Sequence, residues 1–297
     1  MSISTPSAYY EESGSITPAR LSLGLLLIVT IAIVFGYIYA LIMYFSPLVY
    51  INALVCIGMG LLLGFTANFA GRVAHLRSTA WRIGFAAFAG LLAYLCHWCA
   101  YLPMVFNDGL SPAAYLSTLS GLFNPGGLWV GAKFLNTLGV WEIASMPNTG
   151  FFGQLIWLVE AVIIIGLPVY FAWRAKVHPY SEQQQRFYQQ YLVPVPYFIP
   201  SPSLFVKAIQ EEGFAAFSQL EEPRANLFHL INLYYLQGEN RHYLDVTKVS
   251  ISNSGKEQKT TETVVVDNLA IDTTTAKQII NELGAKQQTK ASLGGLN

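Results

Sequence analysis

The sequence predicts an α-helical polytopic membrane domain of about four transmembrane helices, followed by a small cytoplasmic α+β domain. Three observations lead there. Mean hydropathy is +0.41, high for a chain whose whole surface meets water. Residues 21–173 hold seven Asp, Glu, Lys or Arg, whereas residues 174–297 hold twenty-four, twelve of each sign. Beyond residue 202, runs of aromatic and aliphatic residues alternate with polar turns, as strands do. The two parts are written for different solvents.

A helix crossing about 30 Å of hydrocarbon needs about 20 apolar residues, because each rises about 1.5 Å and must satisfy its backbone hydrogen bonds internally. Residues 1–20 read as a cytoplasmic tail; Glu11 and Glu12 are the only charges ahead of Arg20, unlike a secretory signal or transit peptide. Residues 21–71 contain no Asp, Glu, Lys or Arg, and the Ser46-Pro47 break divides them into spans at 21–45 and 48–70, a helical hairpin. A third span covers 81–102 and ends at Pro103. The fourth covers 152–173, with Glu160 as its one charge before the end.

The outer loop is then 103–151. Pro112 and the Asn124-Pro125-Gly126-Gly127 break argue against a fifth span, and predict two short interfacial or re-entrant helices near 113–122 and 127–138. In the second, Leu128, Ala132, Leu135 and Leu138 share one face, suited to a helix lying along a membrane surface. Arg72, Arg77 and Arg82 crowd the connection between spans two and three, whereas Lys133 is the only base in the outer loop. By the positive-inside rule both termini lie in the cytoplasm, and the expected location is a bacterial-type inner (plasma) membrane. The chain carries 17 basic and 17 acidic residues, with no basic stripe to displace counterions from phosphates, so nucleic acid is excluded as a partner.

Within the second span, Asn52, Cys56, Gly60, Gly64 and Asn68 recur every four residues, forming a small and polar ridge. Gly60 and Gly64 also form a GxxxG match, so the ridge serves intramolecular packing or self-association. In the third span Ala86, Gly90, Ala93 and His97 share a face. Glu160 and His97 fall at similar depths in antiparallel spans, which makes them a candidate intramembrane polar pair. A carboxylate in hydrocarbon is costly unless it takes up a proton or meets a cation. The pair is therefore either a polar clasp between helices or a proton-handling or ligand-coordinating site.

Cys96 and Cys99 lie one turn apart near the outer surface, and invite a redox or metal reading. Four spans with such a CxxC resemble membrane thiol oxidases of the bacterial disulfide-forming type. That family needs a second cysteine pair in its outer loop, and residues 103–151 contain none. A zinc site wants four ligands, and only Cys96, Cys99 and one of His97 or Cys56 are on offer, so no metal and no cofactor is assigned. Burial is the ordinary use of all three cysteines.

Residues 174–202 read as a juxtamembrane segment and a stiff, proline-rich spacer. Residues 203–285 read as the α+β domain. A helix starts at Ser201-Pro202 and breaks at Gly213, three antiparallel strands follow, and a last helix opens on a Thr275/Gln278 capping box. Its core is expected near Leu230, Leu233, Val246, Val265 and Ile279, and residues 286–297 as a disordered tail. The sequence carries no phosphate loop, GxGxxG turn, HExxH helix or nucleophile elbow. The expected function is a non-enzymatic subunit or scaffold of a membrane assembly, touching the lipid bilayer and protein partners. The alternative is a small oligomeric transporter or channel-like component, a homo-oligomer using the Glu160/His97 pair, and the third option is a thiol oxidoreductase.

Overall fold

A computed structural model describes residues 8–46, 49–107, 109, 111–139, 142–143, 146–147, 149–254 and 257–288. The chain divides into two compact units, residues 13–177 and residues 1–12 with 178–297.

Among its described residues the first unit contains four helices long and apolar enough to cross a membrane. They are α1 (Pro18–Phe45), α2 (Val49–Val73), α3 (Thr79–Phe106) and α6 (Phe151–Arg174). Helices α1 and α6 each pack on both α2 and α3, so α1 and α6 occupy one diagonal of a four-helix bundle. Glycines set the closest approaches. A Cβ on Gly36 of α1 would lie 2.7 Å from the Cβ of Cys96, and one on Gly60 of α2 would lie 3.0 Å from the carbonyl of Ile163 in α6. Basic residues gather at one end of the bundle. Arg77 bonds the Ser15 hydroxyl, and Arg82 donates to the carbonyls of Ala175 and Lys176 just beyond α6.

Helix α3 does not stop at Leu102 as the proline suggests. It runs through Pro103 to Phe106: the proline removes one amide bond near the end of the helix, and packing holds the turn, where Leu102 meets Gly131 and Met104 is fully buried. Between α3 and α6 lie α4 (Pro112–Thr118), a 3-10 turn (Leu119–Phe123) and α5 (Pro125–Leu138). The side chain of Asn124 caps α5 by accepting from the Gly127 amide at 3.0 Å. At 14 residues α5 is about 21 Å long, too short to span. Its Ala132 and Leu135, with Tyr115 of α4, enter the core of the helical unit. Leu138 does not share their burial; it is exposed at the last turn. Two short strands, β1 (Glu142–Ile143) and β2 (Met146–Pro147), pair before α6.

The second unit is a two-layer α+β fold. A hairpin of β3 (Tyr180–Ser181) and β4 (Arg186–Phe187) precedes a five-stranded antiparallel sheet in the order β8-β7-β6-β5-β9. Its strands are β5 (Gln189–Leu192), β6 (Leu227–Tyr235), β7 (Arg241–Ser254), β8 (Glu257–Asp272) and β9 (Lys286–Gln287). Helices α7 (Pro202–Glu212) and α8 (Thr273–Glu282) bury Phe205, Ile209 and Ile279 against Ile231, Leu233, Leu244 and Val246. Helix α7 ends at Gly213, whose φ of 60° suits a residue without a side chain.

Four expectations are corrected here. The proline-rich stretch is not a free spacer, since Val193 and Ile199 lie in the core of the unit. Its prolines stand where no amide is needed, while Val193, Tyr197 and Phe198 donate to Ile231, His229 and Glu221. The tail is ordered at its start, where β9 pairs with β5, and residues 289–297 lie outside the described residues. Helix α8 is capped by Asp272, whose carboxylate accepts from the Thr274 and Thr275 amides at 2.7 and 2.9 Å. In the core, Ile231 and Val266 stand where Leu230 and Val265 were expected. Strand alternation puts Ile231 with Leu233, and the β7–β8 pairing carries extra residues on β8 on either side of Val266, which turns Val265 aside. The carboxylate of Asp245 accepts from the amide of Asn268, which holds a left-handed φ of 51° at one of these irregularities.

Candidate functional site

Buried polar groups within the helical unit converge on the bundle diagonal. The stripe of α1 that faces inward is Gly24, Ile28, Ala32, Gly36, Tyr39, Ala40 and Met43, mostly small residues at spacings of three and four. Tyr39 is its one polar side chain. Its hydroxyl donates to Glu160 Oε1 of α6, and Oε2 is buried with no hydrogen-bond partner among the described residues. Glu160 is 5% exposed. The Cys56 thiol of α2 lies 3.8 Å from the Glu160 carbonyl oxygen.

Beside this pair is a cavity of about 90 Å³ between α1, α2 and α6. Tyr39, Met43, Asn52, Cys56, Glu160 and Ile163 line it, and its surface is almost wholly apolar. Asn52 is 7% exposed; its amide nitrogen donates to the Ser46 carbonyl at 3.5 Å, and its Oδ1 has no partner among the described residues.

His97 does not pair with Glu160. Depth and direction separate: Gly90 of α3 meets Ile164 and Ile165 of α6, and Trp98 meets Trp157, so the two residues lie at nearby levels. Tyr39 comes between them, bonding Glu160 with its hydroxyl and setting its ring centroid 4.7 Å from that of His97. Tyr94, Trp98 and Tyr101 stand around the rest of the imidazole, at centroid distances of 6.3, 5.4 and 5.4 Å. Both ring nitrogens are buried with no partner among the described residues.

The ridge on α2 is divided in use. Gly60 and Gly64 meet Leu167 and Phe171 of α6, Cys56 and Asn52 face the cavity, and Asn68 is half-buried away from it. Cys96 and Cys99 are buried free thiols. The Tyr115 hydroxyl lies 3.4 Å from the Cys96 carbonyl, and Cys99 Sγ faces Gly121, so the segment after α3 covers both. Among the described residues no three His, Cys, Asp or Glu converge as a metal-holding group.

Tyr39 is the site residue that sequence reading missed. Its signal was a large hydroxyl-bearing side chain in register with a stripe of Gly and Ala, where a buried tyrosine needs an acceptor across the interface. The chain matches no known protein-family model, no curated protein and no solved structure.

Proposed function

We propose that the chain is a non-enzymatic subunit or scaffold of a membrane assembly, set in a bacterial-type inner membrane with both termini in the cytoplasm, and that its α+β unit is a cytoplasmic binding domain. The observation that carries this reading is the outer edge of β8. Over residues 257–266 it meets no described strand, and Val264 is 47% exposed there. An open edge offers backbone donors and acceptors to an incoming strand. Sidedness has two supports. Residues 8–10, ahead of α1, pair with β8 at 268–270, beyond α6, so one folded unit draws on both ends of a chain with four apolar helices. The arginines of the α2–α3 connection favour that end of the bundle as cytoplasmic.

Affinity purification of the full chain from native membranes, with mass measurement in mild detergent, tests the reading. A stable heteromer is the expected outcome, lost when prolines are placed along the β8 edge; a monomer with no co-purifying protein overturns it. A homo-oligomer instead favours the alternative of a small oligomeric transporter. That alternative is supported by the burial of Glu160 and His97 inside the helical unit.

A further inference from the structure

We propose that the exposed face of α5 is a lipid-binding surface at the membrane boundary: Val130, Phe134 and Leu138 enter the acyl chains, and Trp129, Lys133 and Thr137 lie among the headgroups. This rests on the chain being a membrane protein and not on its being a scaffold. Three observations combine.

The first is that α5 has three faces. Ala132 and Leu135 enter the core of the helical unit, Leu128 packs against it, and Asn136 donates to the Gly150 carbonyl at 2.8 Å. The sequence pattern assigns the face of Leu128, Ala132 and Leu135 to the membrane surface, and the fold uses it inside the bundle instead. What remains outside is two rows. Val130, Phe134 and Leu138 are 67%, 53% and 57% exposed, and Trp129, Lys133 and Thr137 are exposed beside them. Residues four apart stand in line and sequence neighbours are turned by about 100°, so the first row is apolar throughout while the second carries an indole, a cation and a hydroxyl. Water disfavours the first row and hydrocarbon the second; the boundary between them suits both.

The second observation gives the direction. The Phe134 ring centroid lies 5.9 Å from that of Phe106 in the last turn of α3, and Gly131 meets Leu102. The apolar row therefore adjoins a helix long and apolar enough to cross the membrane and continues its outer surface, where Phe106 is 48% exposed. The Trp129 row is turned away from α3. The third is the anchor. Lys133 Nζ stands 5.3 Å from the centroid of the Trp129 ring. Indoles collect at membrane–water interfaces, and a lysine stem can lie along apolar surface while its ammonium reaches the lipid phosphates. Residues 109–132 contain no Asp, Glu, Lys or Arg that would hold the segment out in water.

Nitroxide labels at Phe134→Cys and Thr137→Cys test this, with Val162→Cys as reference, since Val162 lies within α6 and is 62% exposed. The native cysteines are buried, and an unsubstituted sample supplies the labelling blank. The full chain alone is placed in lipid nanodiscs at one copy per disc, and each label is challenged with oxygen, which concentrates in hydrocarbon, and with a water-soluble nickel chelate. Oxygen collisions should exceed nickel collisions at positions 134 and 162, and the order should reverse at 137. Nickel dominance at both 134 and 137 would mean that both rows face water. A label at 134 closed to both reagents would mean that protein covers it, and oxygen dominance at 137 would mean that the helix is immersed; each of these overturns the proposal. Nickel dominance at 162 would instead remove the membrane reading on which it rests. If the variants fail to fold, hydroxyl-radical footprinting of the unaltered protein in the same discs decides: Trp129 oxidised with Phe134 spared supports the proposal, and equal oxidation of the two overturns it.

Discussion

The Tyr39 hydroxyl donates to the Glu160 carboxylate across the diagonal of the helix bundle, joining α1 and α6, which do not pack side by side. Each group answers a problem the other creates. The buried phenol needs an acceptor, and the buried carboxyl needs a donor. Tyr39→Phe should lower stability by about 1–2 kcal/mol, since it leaves the carboxyl without its donor. The same change in a Glu160→Gln background should cost less, and a coupling of about 0.5–1.5 kcal/mol is expected. Thermal unfolding followed with a thiol-reactive dye suits the cycle, because Cys56, Cys96 and Cys99 are all buried. Strict additivity would mean that the two groups do not interact.

The close approach of α3 and α6 rests on Gly90. A Cβ there would lie 2.7 Å from the Ile165 Cα and 2.8 Å from the Ile164 carbonyl oxygen, and backbone atoms cannot rotate aside. Gly90→Ala should therefore destabilise by about 1–3 kcal/mol through overpacking. Gly84→Ala in the same helix meets nothing within 4 Å and should be neutral or stabilising. Comparable melting temperatures for the two variants would refute the packing account.

Much of this architecture is legible without coordinates, for physical reasons that also mark the limits. Hydrocarbon imposes a length and a composition, so the four apolar helices stand out; their ends shift by a few residues because caps and tertiary packing, as at Pro103, decide where a helix stops. Period-four spacing finds the faces of α2 and α3 that meet neighbours. It says nothing of azimuth between helices, so equal depth suggests a His97–Glu160 pair although Tyr39 stands between them. In the second unit the strands and turns are visible, but extra residues in β8 shift its core position from Val265 to Val266. Prolines also conceal the contribution of residues 189–199 to the sheet and core, because their positions require knowing which amides are called upon.

His242 should make the second unit sensitive to acid. It lies buried on β7, where its Nδ1 accepts from the Leu236 amide and its Nε2 meets the Thr273 hydroxyl at 3.3 Å. Burial pushes its pKa from the ordinary 6.5 down to about 4, against Glu239 and Asp272, which act the other way. The folded unit thus favours the neutral ring, and the unfolded chain takes up the proton first. Its contribution to stability is complete above pH 6.5 and is lost as pH falls from 6.5 towards 4. Hydrogen exchange of β6 and β7 peptides, normalised to unstructured rates at each pH, should show protection falling across that window. His242→Asn should flatten this dependence while lowering protection at neutral pH.

The N-terminal segment should protect one end of the β8 edge. Tyr10 donates its amide to the Asn268 carbonyl at 2.9 Å, Ala270 donates to Ala8 at 2.8 Å, and the Tyr10 ring meets Tyr243 edge-on at 5.2 Å. These bonds satisfy the strand where the left-handed Asn268 interrupts its pairing with β7. Removing residues 2–10 should raise amide exchange at Ala270 about tenfold or more, since its N–H loses its acceptor, and should leave Leu244 and Val246 on β7 protected. Local exchange at 268–270 identifies the segment as an edge strand. Unchanged exchange there would mean that it does not pair, and exchange rising throughout the sheet would mean that it is part of the fold's core instead.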